Sequence, residues 1–278
     1  MPEPITPAGA GASAATSVGG LQATPWLRRY RPVAAPLGRI VCFGPAGASP
    51  GFYRGWCDRV PADIEVQIVT YPGRERRIGE EPITDMGRLA DAVHTVLAPR
   101  LDRPTVLFGH SMGASVALET AVRLEASGTP AAGLVVSGRP SPARQRETPS
   151  HVADLDDAGI IEHLRELGGT PAEFLDDPEA REFVLPAFRA DFRLVGRYLP
   201  EPGLRTAVPL SVVHGDRDPG VPGADAARWA DAADDFRGVR VFPGEHFYLM
   251  AEEAAVVAHV LAFLAEQRAR LRPGAAAR

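Results

Sequence analysis

A serine flanked by glycines lies at residues 109–113, where the sequence reads Gly-His-Ser-Met-Gly. Residues 105–108 before it form an apolar, β-branched run, and an Ala-rich segment with helical spacing begins near Met112. A sharp turn from strand to helix strains the backbone at Ser111 and projects its hydroxyl above the sheet, while the glycines remove side chains that would collide with neighbouring elements. The pattern therefore predicts that Ser111 is a nucleophile.

A serine hydroxyl is a poor nucleophile unless a base takes its proton, so a histidine and an orienting carboxylate should follow in the chain. His246 lies in a loop after the apolar run 239–242 and before the last predicted helix, which is where a base is expected. Two aspartates, Asp216 and Asp218, follow an earlier apolar run. The Gly-x-x-Asp spacing from Gly215 favours Asp218, and Asp216 would then stabilise the turn through bonds to backbone amides.

Attack on a carbonyl creates an oxyanion, which needs two amide donors already in place. One donor is the amide that follows the nucleophile, here that of Met112. The other comes from the loop after an earlier strand, and residues 42–48 contain that loop. Pro45 has no amide hydrogen, so the donor is Ala46 or Gly47, and we choose Ala46. The alternative is that this segment is a plain Gly/Pro turn.

Short apolar runs alternate with segments of helical periodicity along the chain. This alternation predicts an α/β protein with a mostly parallel central sheet flanked by helices. Together with the strand–Gly-x-Ser-x-Gly–helix turn, it is typical of the α/β-hydrolase fold. The predicted strands span residues 39–43, 65–69, 105–108, 134–137, 210–214 and 239–242, and the predicted helices span 86–97, 112–124 and about 252–270.

A long segment, residues 139–206, separates the fourth and fifth predicted strands, and we call it the lid. It far exceeds the roughly 12 residues that a crossover between parallel strands needs. Helical patterns within it span residues 160–167 and 179–198. We expect some of its aromatic side chains to roof the substrate pocket, although aromatic residues also serve as plain packing residues of a core. The proposed substrate-binding residues are Phe183, Phe188 and Phe192, and Phe174 adds to the same apolar surface.

The chain has 278 residues, 45% of them hydrophobic, which is enough for one large core. We expect a disordered tail at residues 1–24, a single domain with the lid inserted at residues 25–270, and a flexible tail at 271–278. The net charge of −5 and the scattered arginines give no basic surface for nucleic acid. The sequence contains no metal-ligand cluster, so we expect no bound metal.

The two cysteines, Cys42 and Cys57, do not resemble a disulfide framework, so a reducing cytoplasm fits the composition. The first 24 residues lack the basic start and continuous apolar stretch of a secretory signal. No window approaches the roughly 20 apolar residues that span a bilayer. We therefore expect a soluble, cytoplasmic protein with no membrane partner.

Seven short motifs, two of them described above, lie at residues 26–32, 52–56, 71–75, 109–114, 167–171, 189–192 and 244–249. In these motifs the chain resembles the type II thioesterases, the stand-alone editing hydrolases of modular polyketide and nonribosomal peptide synthases. We call the Gly-x-Ser-x-Gly turn at residues 109–113 the elbow. In that family the elbow serine, the Gly-x-x-Asp aspartate and the histidine of the last motif form a catalytic triad, which the resemblance assigns to Ser111, Asp218 and His246. It assigns the oxyanion-hole amides to Ala46 and Met112.

The resemblance implies hydrolysis of acyl groups from the phosphopantetheine arm of acyl or peptidyl carrier protein domains, which clears stalled or aberrant units from a synthase. It implies no cofactor, because the phosphopantetheine belongs to the carrier. The chemistry agrees, since a thiol with a pKa of about 8.5 leaves readily. We call residues 42–48, which carry the second oxyanion donor, the oxyanion loop. The sequence departs from the family pattern at Gly44, Pro45 and Ala48 of this loop, and at Glu245 beside His246.

Three other functions share part of this pattern. An oxygen-ester hydrolase or lipase uses the same triad, and a chain-releasing or acyl-transferring thioesterase uses an alcohol or amine instead of water. Outside the enzymes, a non-catalytic binding protein on a hydrolase fold is the alternative, because fold does not fix function. The intact serine, aspartate and histidine argue against it.

Overall fold

A computed structural model of the chain describes residues 24–271. The predicted tails, apart from residues 24 and 271 at their inner ends, lie outside the described residues. The strands are β1 (Leu27–Arg28), β2 (Gly38–Phe43), β3 (Ile64–Val69), β4 (Thr105–His110), β5 (Gly133–Ser137), β6 (Leu210–Gly215) and β7 (Phe236–Phe242). They form one sheet in the order β1-β3-β2-β4-β5-β6-β7.

All strands from β2 to β7 pair in parallel, which confirms the predicted mostly parallel sheet. Each contains one of the six apolar runs predicted from the sequence. The seventh strand, β1, was not predicted. It pairs antiparallel with β3, with Leu27 opposite Val69, and extends one edge of the sheet.

Helices connect the strands and cover the sheet. They are α1 (Trp56–Arg59), α2 (Met86–Leu97), α3 (Met112–Ala126), α4 (Pro142–Glu147), α5 (Asp157–Leu167), α6 (Ala172–Asp176), α7 (Pro178–Arg197), α8 (Gly223–Ala227), α9 (Tyr248–Ala251) and α10 (Glu253–Arg270). Within residues 24–271, none of these helices has the length and apolar character needed to cross a membrane.

The central strands β4, β5 and β6 are buried along their whole length because both faces of the sheet are covered there. On β2, Val41 and Phe43 pack in the cluster that includes the apolar residues of α2 and α3. The alternate residues Ile40 and Cys42 pack in a second cluster with the apolar residues of α1 and α10. The core therefore consists of two layers, one on each side of the sheet, and the carboxyl ends of the strands remain available for a site.

Four helices of the lid, α4 to α7, lie between β5 and β6, and α5 and α7 contain the predicted helical patterns almost entirely. Asp156 begins α5 by accepting a hydrogen bond from the amide of Gly159 at 2.8 Å. The lid has a small apolar cluster of its own, formed by Ile160, Ile161, Leu164, Leu175, Leu185, Phe188 and Phe192.

Candidate active site

Ser111 lies on the turn that joins β4 to α3, with φ 54° and ψ −119°, a backbone conformation that residues with a Cβ rarely adopt. The two glycines of the motif allow the strand and the helix to approach this closely. A Cβ on Gly109 would lie 2.2 Å from the carbonyl oxygen of Gly113, and one on Gly113 would lie 2.2 Å from that of Phe43. The amide of Ser111 donates to the carbonyl of Ser137 at 2.8 Å, which fixes the turn against β5.

His246 lies between Ser111 and Asp218. Its Nε2 is 3.0 Å from Ser111 Oγ, and its Nδ1 is 3.0 Å from Asp218 Oδ2. The Asp218 side chain is fully buried, and that of His246 is 8% exposed. The loops after β6 and β7 lie in close contact, since a Cβ on Gly215 would lie 2.3 Å from the Gly244 carbonyl oxygen. This contact brings Asp218 and His246 together. A neutral imidazole that donates to Asp218 presents its free Nε2 to the serine hydroxyl.

The two candidate aspartates differ in what they contact. One carboxylate oxygen of Asp218 contacts His246 Nδ1, and the other accepts a hydrogen bond from the amide of Gly220 at 2.9 Å. Asp216 instead accepts the amide of Gly244 at 2.8 Å. Its side chain is 47% exposed and also pairs with Arg217. Asp216 therefore stabilises the crossing of the two loops, and Asp218 is the aspartate that reaches the histidine.

The loop after β2 lies beside the elbow, since Gly113 packs on the carbonyls of Phe43 and Gly44. Of the two amides considered for the second oxyanion donor, that of Gly47 already donates to Asp191 Oδ2 at 2.7 Å. This leaves Ala46 as the candidate in the loop. Met112, the other candidate donor, is the first residue of α3, whose first amides have no partner within the helix.

A buried polar chain lies beside His246, and sequence reasoning did not find it. His110 Nδ1 is 2.9 Å from Ser137 Oγ, which is 2.7 Å from the hydroxyl of Tyr248. The His110 ring centroid lies 5.0 Å from that of His246. Burial, together with the nearby His246, holds the pKa of His110 well below its usual value, so this ring is neutral. The only signal in the sequence is the position of His110 inside the elbow motif.

The lid aromatics occupy different environments. Phe188 packs on the oxyanion loop, because a Cβ on Gly47 would lie 2.1 Å from its ring. Phe192 lies in the apolar cluster of the lid, 5.9 Å from Phe188 between ring centroids. Phe183 is 74% exposed and lies outside that cluster. Phe188 therefore contacts a loop of the site, and the substrate-binding role of all three stays a prediction.

The lid also touches the loop that carries His246. A Cβ on Gly169 would lie 2.4 Å from the ring of Phe247, and Gly169 has a φ of +80°. The motif at residues 167–171 thus places backbone directly against Phe247, the residue that follows His246. Within residues 24–271 there is no group of three or more His, Cys, Asp or Glu side chains arranged to hold a metal ion.

A parallel sheet that presents a serine on a strained strand-to-helix turn, with an aspartate and a histidine from two later strand ends, defines an α/β-hydrolase. The family model "Thioesterase domain" matches residues 38–264. The chain therefore belongs to the thioesterase family and is a hydrolase that acts on thioester bonds.

Similar proteins agree with this family. The chain is 41% identical over 244 residues to a probable cadicidin biosynthesis thioesterase of Streptomyces griseus, covering 88% of this chain and 67% of that protein. It is 35% identical to the thioesterase PikA5 of Streptomyces venezuelae, covering 81% and 80%. The solved structure of BorB, the type II thioesterase of the borrelidin biosynthetic cluster, matches with a TM-score of 0.80 and 36% identity, covering 88% and 100%. These findings confirm the resemblance to type II thioesterases and the α/β-hydrolase fold.

Proposed function

We propose that this chain removes stalled or aberrant acyl units from a polyketide or nonribosomal peptide synthase by hydrolysing their thioester link to the phosphopantetheine arm of a carrier domain. The observation that carries the proposal is the hydrogen-bonded series from Ser111 through His246 to the buried Asp218, with 3.0 Å at each step. The similarity to biosynthetic type II thioesterases supports the choice of substrate.

In the first half of the reaction, Ser111 Oγ attacks the thioester carbonyl while its proton passes to His246 Nε2. Asp218 stabilises the imidazolium that forms and keeps the ring oriented. The amides of Met112 and Ala46 stabilise the oxyanion. Collapse of the tetrahedral intermediate breaks the carbon–sulfur bond, and the carrier leaves as its thiol with the proton from His246. An acyl group then remains on Ser111.

In the second half, His246 takes a proton from water, which attacks the acyl-enzyme. The second oxyanion collapses, the ester bond to Ser111 breaks, and the serine recovers its proton from the imidazolium. The products are a free carboxylic acid and an unloaded carrier. Every proton in this cycle moves between Ser111, His246, water and the leaving thiol, so no cofactor takes part in the proposed reaction.

The test is a panel of acyl and peptidyl carrier proteins loaded with different acyl groups, followed by intact mass spectrometry. Loss of the acyl mass, with a free acid as product, is the expected result. Ser111→Ala is the matched control and should lose at least about 10⁴-fold in rate. Carrier-bound substrates should exceed the matching acyl-N-acetylcysteamines in kcat/KM, because contacts remote from the reacting bond contribute binding energy.

Other outcomes identify the alternatives. An ester or amide product instead of a free acid would indicate chain release by acyl transfer. Hydrolysis of simple oxygen esters, together with no hydrolysis of carrier-bound thioesters, would indicate an oxygen-ester hydrolase. Failure of a fluorophosphonate to label Ser111 would indicate a non-catalytic protein. Equal kcat/KM for carrier-bound and carrier-free thioesters would contradict the role in carrier editing.

A further inference from the structure

An ion pair between Arg74 and Asp191 lies inside the protein, with side chains that are 6% and 5% exposed. Two parallel hydrogen bonds of 2.8 Å join the guanidinium to the carboxylate. Burial acts to lower the pKa of Arg74, but the charge and the hydrogen bond of Asp191 outweigh it and raise that pKa, so Arg74 keeps its charge. Arg74 follows β3, whereas Asp191 belongs to α7 of the lid.

Both partners also bond to the oxyanion loop. Asp191 Oδ2 accepts the amide of Gly47 at 2.7 Å, and Arg74 Nη1 donates to the carbonyl of Ala48 at 3.3 Å. The carboxylate thus accepts three hydrogen bonds, two from the arginine and one from the loop. The ion pair therefore joins three separate parts of the chain at one point next to the candidate oxyanion donor.

These bonds fix the orientation of the Ala46 residue. A peptide unit is planar, so holding the Gly47 amide also holds the carbonyl of Ala46. On the other side of Ala46, the carbonyl of Pro45 shares a peptide unit with the Ala46 amide, and it accepts the amide of Ala48 at 3.2 Å. The loop is fixed upstream as well, because the carbonyl of Phe43 accepts the hydroxyl of Tyr53 at 3.1 Å. Little rotational freedom is left to the amide of Ala46.

Stability alone gives little reason to bury these charges. Replacing a buried ion pair by apolar side chains of similar volume is often neutral or stabilising, because desolvation offsets the Coulomb attraction. The loop, in contrast, requires an acceptor at Gly47 and a donor at Ala48, and the ion pair supplies both. A charged acceptor forms a shorter and stronger bond than a neutral one.

We infer that Arg74 and Asp191 are positioning residues that hold the oxyanion loop, so that the Ala46 amide is correctly placed only when α7 of the lid is packed against that loop. This inference rests on the proposed hydrolytic function. It assigns a role to two of the motifs in the sequence, at residues 71–75 and 189–192. The lid helix then contributes to the stabilisation of the oxyanion without touching it.

The test compares two double variants that differ only in the acceptor at Gly47. R74M/D191N removes both charges and keeps an oxygen for that amide, whereas R74M/D191L removes the charges and the oxygen. With an acyl-N-acetylcysteamine substrate, R74M/D191L should lose about 10²- to 10³-fold in kcat, as when an oxyanion donor is removed, with little change in KM. R74M/D191N should stay within about tenfold of the wild type.

A second readout separates positioning from a merely structural role. Ser111 should add to an alkyl trifluoromethyl ketone, and the hemiketal oxygen of this adduct occupies the oxyanion hole. Titration of the adduct by ¹⁹F NMR should show its ionisation at higher pH in R74M/D191L than in R74M/D191N. The control D157N removes the exposed Asp157–Arg189 pair of the lid, and it should leave both kcat and the titration unchanged.

Equal kcat and equal titrations in the two double variants would overturn the inference while leaving the proposed function intact. A wild-type chain that hydrolyses no acyl thioester would refute both. Should R74M/D191L fail to fold, R74M/D191A replaces it, because alanine also removes the acceptor for the Gly47 amide. Its kcat should fall about 10²-fold below that of R74M/D191N at nearly constant KM, as when an oxyanion donor is removed, and equal kcat values would again overturn the inference.

Discussion

Replacing Asp218 by asparagine should lower kcat about 10⁴-fold, which corresponds to about 5.4 kcal/mol of transition-state stabilisation. The structure determines how the new amide is oriented. The Gly220 amide requires an acceptor at Oδ1, so the NH₂ group of asparagine turns toward His246 Nδ1. That nitrogen must then accept a hydrogen bond, which places the ring proton on Nε2 and leaves no free base for Ser111.

The same change at Asp216 is the matched control. Asp216 is about half exposed and bonds to the Gly244 amide, and asparagine still offers an acceptor there. We expect this variant to stay within a few-fold of wild-type kcat, since the surface contact it weakens contributes about 0–1 kcal/mol. The comparison therefore separates the two carboxylates that the sequence places only two positions apart.

The assay follows release of thiol from an acyl-N-acetylcysteamine with a thiol-reactive chromogen. Cys42 and Cys57 are buried, and burial raises the pKa of both thiols, so they contribute little background. Thermal unfolding of both variants checks that each is folded. A value of kcat for Asp218→Asn within tenfold of the wild type, or a larger loss for Asp216→Asn, would refute the assignment.

Three further variants test other features. Ser111→Gly should unfold at a temperature a few degrees above that of Ser111→Ala, because glycine relieves a strain of about 1–3 kcal/mol at φ 54°; a lower melting temperature for the glycine variant would contradict this. His110 stays neutral in the folded protein, so the unfolded chain binds one more proton below its ordinary pKa of about 6.5, and stability falls as the pH is lowered. His110→Asn should remove about 1.4 kcal/mol of the loss in unfolding free energy between pH 7.5 and 5.5, and an unchanged pH dependence in denaturant titrations would refute this. Gly47→Ala should lower kcat and stability, since its Cβ would lie 2.1 Å from the Phe188 ring. Adding Phe188→Ala should restore part of the loss, and strictly additive effects in a double-mutant cycle would contradict the contact.

The central strands β4, β5 and β6 were predictable because both of their faces are buried, which leaves largely apolar runs in the sequence. The strand Leu27–Arg28 has two residues and carries no such run, so no pattern could reveal it. The spacing of Asp218 from Gly215 predicted which carboxylate lies near His246, and the observed 3.0 Å contact agrees with that choice.

Contacts between distant parts of the chain could not be predicted in this way. Arg74 and Asp191 are 117 positions apart, and neither apolar periodicity nor motif spacing links them. The lid aromatics show a related limit. Phe188 and Phe192 are four residues apart and share a helix face, whereas Phe183, five residues before Phe188, is rotated by about 140° around the helix axis. Counting that rotation would have separated Phe183 from the other two.

The parts of the site come from distant positions in the chain. Ser111 and His246 are 135 positions apart, and Gly47 and Asp191 are 144 apart. Closing such long loops costs entropy before any of these contacts can form. During synthesis, a nascent chain that has exposed the elbow still lacks His246, the proposed base. The protein thus acquires reactivity toward acyl thioesters only after nearly the whole domain has been made.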